Sequence, residues 1–306
     1  MATNEKKTNF KTIKKFTCKI KQASFGNLSS DEERILAVET SFNPDGKVIK
    51  EVRFNVDAEV EEVHEYTYNS NQKLVMHHWK MPLDDVEEAE KMERDEKDRL
   101  IREIKLYGGE EGESVSYTFD DKDRVLAAEF KDEEGILTLR EDYEYNEWDT
   151  LNSRKITDHS EGKNKLLRFE YDDKKNLREQ LELDAEGSLI TKTVYEQDEN
   201  GNDISVVQYT IKNEIKQRLK SIYNESGKLI KRMSSGNSTR IVQFEYDEAG
   251  NLIDEITTDE NGTIISRNSF DYDEQNHVVY ETIYEIDFTR SGRDTNLATS
   301  YEYEFY

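Results

Sequence analysis

A single cysteine, Cys18, excludes an intrachain disulfide and an all-cysteine metal site, and it agrees with a reducing compartment. No apolar run reaches the roughly 18 residues that a membrane-crossing helix needs. The N-terminus, MATNEKKTNFKTIKKF, lacks the apolar segment of a secretory signal. The expectation is a cytoplasmic chain with no membrane partner. Catalytic signatures are missing too: there is no Gly-rich phosphate loop, no nucleophile elbow and no His-Glu-x-x-His zinc helix. With 68 acidic residues, paired carboxylates occur everywhere, so their spacing carries no glycosidase signal. The chain is read as non-enzymatic, without cofactor, metal or small-molecule substrate.

Hydrophobic residues are also scarce, 34% against 36% charged, a balance typical of disordered chains. The 17 Tyr and 12 Phe argue otherwise, because disordered chains are poor in aromatics. A folded sheet with one apolar face, much solvated surface and a small core per residue reconciles the two.

The aromatics recur. Phe42, Tyr68, Arg94, Phe119, Tyr145, Tyr171, Gln197, Tyr223, Tyr246 and Tyr272 form an anchor series whose spacing is 26 residues, except one step of 25 and one of 23. Four residues after each anchor stand Gly46, Gln72, Asp98, Asp123, Asp149, Lys175, Gly201, Gly227, Gly250 and Asn276, mostly residues that tolerate positive φ in a hairpin turn. Six residues after each anchor an aliphatic opens the next strand, Asp203 being the exception. Two residues before many anchors a second aromatic, such as Tyr66, Tyr143, Phe244 or Phe270, shares the anchor's face, since side chains alternate along a strand. Half a period away, Asp132, Asp158, Asp184 and Asp259 mark a second turn.

Each unit is therefore two strands joined by short turns, with the anchor and the aliphatic six residues later as cross-strand neighbours. The expected fold is all-β: a long antiparallel meander of about twenty strands built from 26-residue two-strand repeats, with terminal units as caps. Twist should curl it into an open trough, spiral or partial barrel with the aromatic face inward. Residues 1–41 read as a basic N-terminal segment with capping strands, and 42–306 as one repeat array carrying a divergent acidic, insertion-like unit at 81–105.

The stretch YDEAGNL at Tyr246 to Leu252, followed by DENG at Asp259 and YDEQN at Tyr272, resembles the YD repeats of RHS-type proteins. The resemblance runs from about Phe42 to the end, degenerate in most units, and implies a spiralling β-strip. In that family long strips enclose a toxin carried in the same chain. Nothing here reads as a toxin or a self-cleavage motif, so an interaction or antitoxin-like role is the closer analogy.

The unit MPLDDVEEAEKMERDEKDRLI, residues 81–101, replaces the aromatic anchor with Arg94. Asp84 as N-cap and Glu87 at the third position would start a short helix, whereas the repeat register demands a strand; the segment is read as a distorted strand and long hairpin. His77 and His78 point to opposite faces of their strand, and a turn between Ser70 and Asn71 would set His64 across from His77. No third ligand is evident, so these are read as surface or packing imidazoles. The calcium-like DENGND loop at Asp198 has Tyr209 where the bidentate glutamate belongs, and turn chemistry explains its aspartates.

Seven Lys against one Glu in residues 1–22 leave the remainder still more acidic than the overall charge of −25. That disfavours nucleic acid and favours a protein partner with a basic surface. The expected function is a protein-interaction scaffold, immunity-like or chaperone-like toward a toxin or effector. The alternatives are a structural shell component of an RHS-like assembly and, less favoured, a glycan-acting hydrolase. Candidate protein-binding residues are Asp84, Asp85, Glu87, Glu88, Glu90, Glu93 and Arg94, with Phe244, Tyr246, Phe270 and Tyr272 on the aromatic face.

Overall fold

The computed structural model describes residues 9–18, 34–286 and 295–306. These form strands and turns, with no helix. In chain order the strands are β1 (Phe10–Cys18), β2 (Arg34–Phe42), β3 (Val48–Phe54), β4 (Val60–Tyr68), β5 (Leu74–Met81), β6 (Val86–Arg94), β7 (Leu100–Tyr107) and β8 (Glu110–Phe119). Then come β9 (Val125–Lys131), β10 (Leu137–Tyr145), β11 (Leu151–Asp158), β12 (Asn164–Tyr171), β13 (Leu177–Asp184), β14 (Leu189–Gln197) and β15 (Asp203–Thr210). The last are β16 (Ile215–Tyr223), β17 (Leu229–Ser235), β18 (Arg240–Tyr246), β19 (Leu252–Thr258), β20 (Ile264–Tyr272), β21 (Val278–Glu285) and β22 (Thr295–Phe305). The expected antiparallel meander is present, with twenty-two strands among the described residues where about twenty were expected.

The chain divides into two compact units. One comprises Met1–Glu93, Glu103–Gly112 and Arg267–Tyr306, the other Arg94–Arg102 and Glu113–Ser266. In the second, β8 to β19 pair antiparallel in chain order. In the first, β2 to β6 do the same, and β21 pairs with β22. There β1 lies between β2 and β22, Cys18 standing opposite both Arg34 and Ala298. The terminal strands, expected as caps, are thus bonded to each other. Their lysines and carboxylates meet across the seam, as in Lys11–Glu304 at 2.6 Å, and Cys18 is buried there beside the Ser300 hydroxyl. The basic residues 1–8 and 19–22 lie outside the described residues.

The anchor pairs with the residue six positions on, as in Phe42 with Val48, Tyr68 with Leu74 and Tyr145 with Leu151. A one-residue register shift follows each pair, which lets a five-residue loop close a hairpin whose strands twist normally. All ten residues four positions after an anchor have positive φ, including Gln72 at 59° and Lys175 at 68°. The side chain directly after the anchor is what holds them there. In all ten units it is Asp or Asn, and its Oδ1 accepts the main-chain N–H four residues on, from Asn43 with Lys47 to Asp273 with His277. An Asx clamp of this kind supplies the local acceptor that a tight turn otherwise lacks.

The anchor itself fastens neighbouring strands by a polar bond. The hydroxyls of Tyr68, Tyr145 and Tyr171 donate to the carbonyls of Val48, Val125 and Leu151 at 2.7, 2.9 and 2.8 Å, and Gln197 does the same to Leu177 with its amide at 3.1 Å. The short 23-residue unit keeps the bond, Tyr246 reaching Leu229 at 2.8 Å. On β12 and β18 the aromatic-face residues Phe169, Tyr171, Phe244 and Tyr246 are half-buried while Arg168, Glu170, Gln243 and Glu245 are exposed. Few side chains are fully covered, and they are small ones such as Ala127, Ala128 and Ala298, with Ile104 the largest below 2% exposure. A thin, one-face core is what the composition required.

Residues 81–105 form no helix. Met81–Asp85 make a turn, Asp84 N–H bonding the Met81 carbonyl with Asp85 at φ 54°, and β6 then runs in ordinary register against β5. The acidic side chains divide between the two faces of the strand, Glu87 and Glu93 on one and Glu88 and Glu90 on the other, and of these only Glu87 is exposed.

Candidate functional site: a histidine and carboxylate row

On the aromatic face of the first unit, β4, β5 and β6 place four polar groups in line. The register pairs His64 with Trp79 and His77 with Tyr66, not His64 with His77 as the turn position suggested. The Tyr68–Leu74 pair centres the loop on Asn71, which moves the partner of His64 by one residue, and the register shift between Thr67 and Tyr68, which the sequence does not mark, moves it by one more. Diagonal neighbours still touch: His64 Nδ1 lies 3.0 Å from His77 Nε2. His64 Nε2 lies 3.2 Å from Glu62 Oε2, and His77 Nδ1 lies 3.8 Å from Glu90 Oε2. Glu62 also accepts from Arg53 at 2.8 Å. His77 stacks on Tyr66, centroids 4.5 Å apart and planes within 4°, and leans on Trp79 at 5.0 Å.

Burial, reinforced by the neighbouring His64, holds His77 below the usual imidazole pKa, with Glu90 pulling the other way. The bond from His64, aided by Arg53, holds Glu62 below the usual carboxylate range against its own desolvation. The two imidazole nitrogens face each other nearly in plane, the rings 20° apart, which suits a shared proton and leaves no angle for an ion between them. Among the described residues no group of three or more His, Cys, Asp or Glu is arranged to hold a metal ion. The turn aspartates are committed as well, Asp198 accepting the Asn202 main-chain N–H at Oδ1 and the Asn202 side-chain amide at Oδ2.

The residues expected to bind protein do not gather into one site. Asp84 and Asp85 are exposed at the β5–β6 turn, and Glu87, exposed on the opposite face, pairs with His78 at 2.8 Å. Glu88 and Glu90 are half-buried on the face of the histidines, while Glu93 bonds Lys91 at 2.6 Å and Arg94 donates to the Asp98 carbonyl at 3.1 Å. Phe244 and Tyr246 belong to the second unit, Phe270 and Tyr272 to the first, all half-buried within strands. Glu62 was missed as a member of the row, although it precedes His64 by two and so shares its face.

A second polar cluster occupies β10 and β11. Glu141, buried, accepts from Arg154 and from the Tyr143 hydroxyl. Desolvation and that bond push the Tyr143 phenol up to about 12.

No protein-family model matches the chain, and no curated protein matches its sequence. Solved structures do match. One is a crystal structure of TcdB2-TccC3-Cdc42, at 12% identity and a TM-score of 0.52, over 90% of this chain and 15% of that one. A structure of TcdB2-TccC3 without its hypervariable C-terminal region gives 11%, 0.40, 87% and 16%. A porin-like protein from Bacteroides uniformis ATCC 8492 gives 12%, 0.34, 97% and 98%. This chain thus spans about 15% of the first structure's chain, and at 12% identity the likeness is one of fold alone, an antiparallel β-repeat.

Proposed function

We propose that the protein is a non-enzymatic, cytoplasmic scaffold of the YD-repeat kind that binds the basic, extended surface of another protein, in an immunity-like or chaperone-like role toward a toxin or effector. The observation that carries this reading is a comb of carboxylates. In the second unit the residue after each Asx clamp is Glu96, Asp121, Glu147, Asp173, Glu199, Glu225 and Glu248, and every one is exposed. The clamps fix their height, and two strand spacings set neighbouring teeth about 10 Å apart. A polyproline II segment advances about 3.1 Å per residue with about three residues per turn, so basic side chains at every third position of a partner would face and meet successive teeth.

A shell that assembles through terminal strands is less favoured, because β1 is already bonded on both sides. A membrane-spanning strand role is also disfavoured: the two faces of β4 present Glu61, Glu65 and Thr67 on one side and Glu62 and His64 on the other.

The test is capture from the native host by wild type and by a variant with the seven teeth changed to Gln or Asn, followed by binding kinetics on the recovered protein. Association should slow steeply between about 50 and 200 mM salt, as screening shortens toward about 8 Å, and should be slow at every salt in the variant. Equal capture and equal rates for both proteins would overturn the reading.

A further inference from the structure

We propose that His64 and His77 form a one-proton latch: the row from Glu62 to Glu90 takes up a first proton without losing a hydrogen bond, and a second proton breaks the His64–His77 bond and frees His77 from Tyr66. This goes beyond the scaffold reading and does not depend on it.

The argument is a count of protons on four ring nitrogens. Glu62, ionised and also bonded by Arg53, requires the N–H of His64 on Nε2. His64 Nδ1 is then bare and accepts from His77 Nε2–H across 3.0 Å. That leaves His77 Nδ1 bare, facing Glu90 across 3.8 Å, too long for a hydrogen bond. A first proton enters at this nitrogen, gives Glu90 a donor and disturbs nothing else. A second can reside only on His64 Nδ1, where N–H would face N–H at hydrogen-bond distance, so the pair must part.

The charged groups that face the pair are few. From β4 they are Glu62 and, as an uncharged phenol, Tyr66; from β6 they are Glu88 and Glu90; beyond β4, β3 supplies Glu51 and Arg53. His78 faces the other side with Glu87 and Lys80. Burial lowers the pKa of His77 and so works against the first step, while repulsion between the two rings, the next cause of that shift, is what holds the two steps apart.

The full chain, labelled at its five His and at Tyr, would be titrated from about pH 8 to 4.5 by NMR, with circular dichroism in parallel. The expected result is two histidine steps at least about one pH unit apart, His77 first. Ring contacts between His77 and Tyr66 should persist through the first step and vanish in the second, while the sheet signal stays constant. Glu90→Gln should move the first step to lower pH, and His64→Asn should abolish the second. Three outcomes would overturn the latch: both histidines titrating together in the ordinary range, Tyr66 contacts that survive the second step, or sheet signal lost along with them.

Discussion

Two positions, four residues before the anchor and nine after it, meet diagonally across neighbouring strands in both units, yet carry different chemistry. Around Tyr145 they hold Glu141 and Arg154 with Tyr143 beside them. Around Tyr68 they hold His64 and His77 with Tyr66 beside them. The glutamate and arginine complement each other across the whole neutral range. The imidazoles share one proton and depend on its supply. In both places the strand ends are fixed by the same clamp and the same anchor bond, so the middle of the aromatic face is where this repeat tolerates polar groups. The frame is repeated, and the chemistry is local.

Removing one member of the charged pair should be the most damaging change. Arg154→Met leaves the Glu141 charge buried without its cation, a loss of about 3 kcal/mol, at the low end for a broken buried pair because Arg154 is itself one-third exposed. Urea unfolding measures it. A change below about 0.5 kcal/mol, the usual scale for surface substitutions, would place the pair among ordinary surface contacts and remove half of the comparison.

The frame common to both patches is tested by Tyr246→Phe. The Leu229 carbonyl loses its donor while the ring stays, so a loss of about 1 kcal/mol is expected in the same assay. An unaltered urea midpoint would mean that the ring alone does the fastening. Asp172→Asn should be mild, since Asn fills this slot in four other units, whereas Asp172→Ala removes the acceptor for Lys174 and Asn176 N–H and should lower the midpoint clearly.

The histidine side of the comparison is read through pH. The folded-state pKa of His77 lies below the unfolded value of about 6.5, so between the two the unfolded chain binds more protons. Stability contributed by the neutral ring is therefore complete above about pH 6.5 and is lost as pH falls toward the folded value. The urea midpoint should drop between about pH 7 and 5.5 in wild type and drop less in His77→Asn. Identical pH slopes in the two proteins would show that His77 is not the group responsible.

The 26-residue period, the turns and the anchor-to-aliphatic pairing were legible because each is a local consequence of alternation and positive φ. The clamp is equally local: Asp or Asn follows all ten anchors, although a literal Tyr-Asp stands only at Tyr171, Tyr246 and Tyr272 and the other members are Asn or follow Phe, Arg or Gln. The pairing of β1 with β22 joins residues nearly 300 apart, as Lys11 with Glu304, and no local signal encodes it. The His64–His77 contact depended on a single-residue register shift, and a one-step error moves every diagonal neighbour. The histidines, and Glu62 two residues before His64 on the same face, follow from strand alternation, whereas the place of Glu90 opposite His77 depends on the β5–β6 register.

One irregularity in the anchor series holds the finest test. Gln197 is a polar anchor, and Asp203, its partner six residues on, is also the one place where the aliphatic is missing. The two exceptions explain each other: the Gln197 amide donates to Asp203 at 2.6 Å while also reaching the Leu177 carbonyl. Gln197→Tyr alone would press a ring against a carboxylate, and Asp203→Leu alone would leave the amide one acceptor short. Together they rebuild the Tyr–Leu rung found at Tyr171 and Leu177, with a hydroxyl placed to reach the same carbonyl. Each single change should therefore be neutral or slightly destabilising, and the double mutant should exceed their sum by about 0.5–1 kcal/mol in a double-mutant cycle, the scale of a cross-strand pair. Strict additivity would mean that the rung is not the unit of stability in this sheet, and that the hydroxyl or amide bond to the neighbouring strand acts without help from its cross-strand partner.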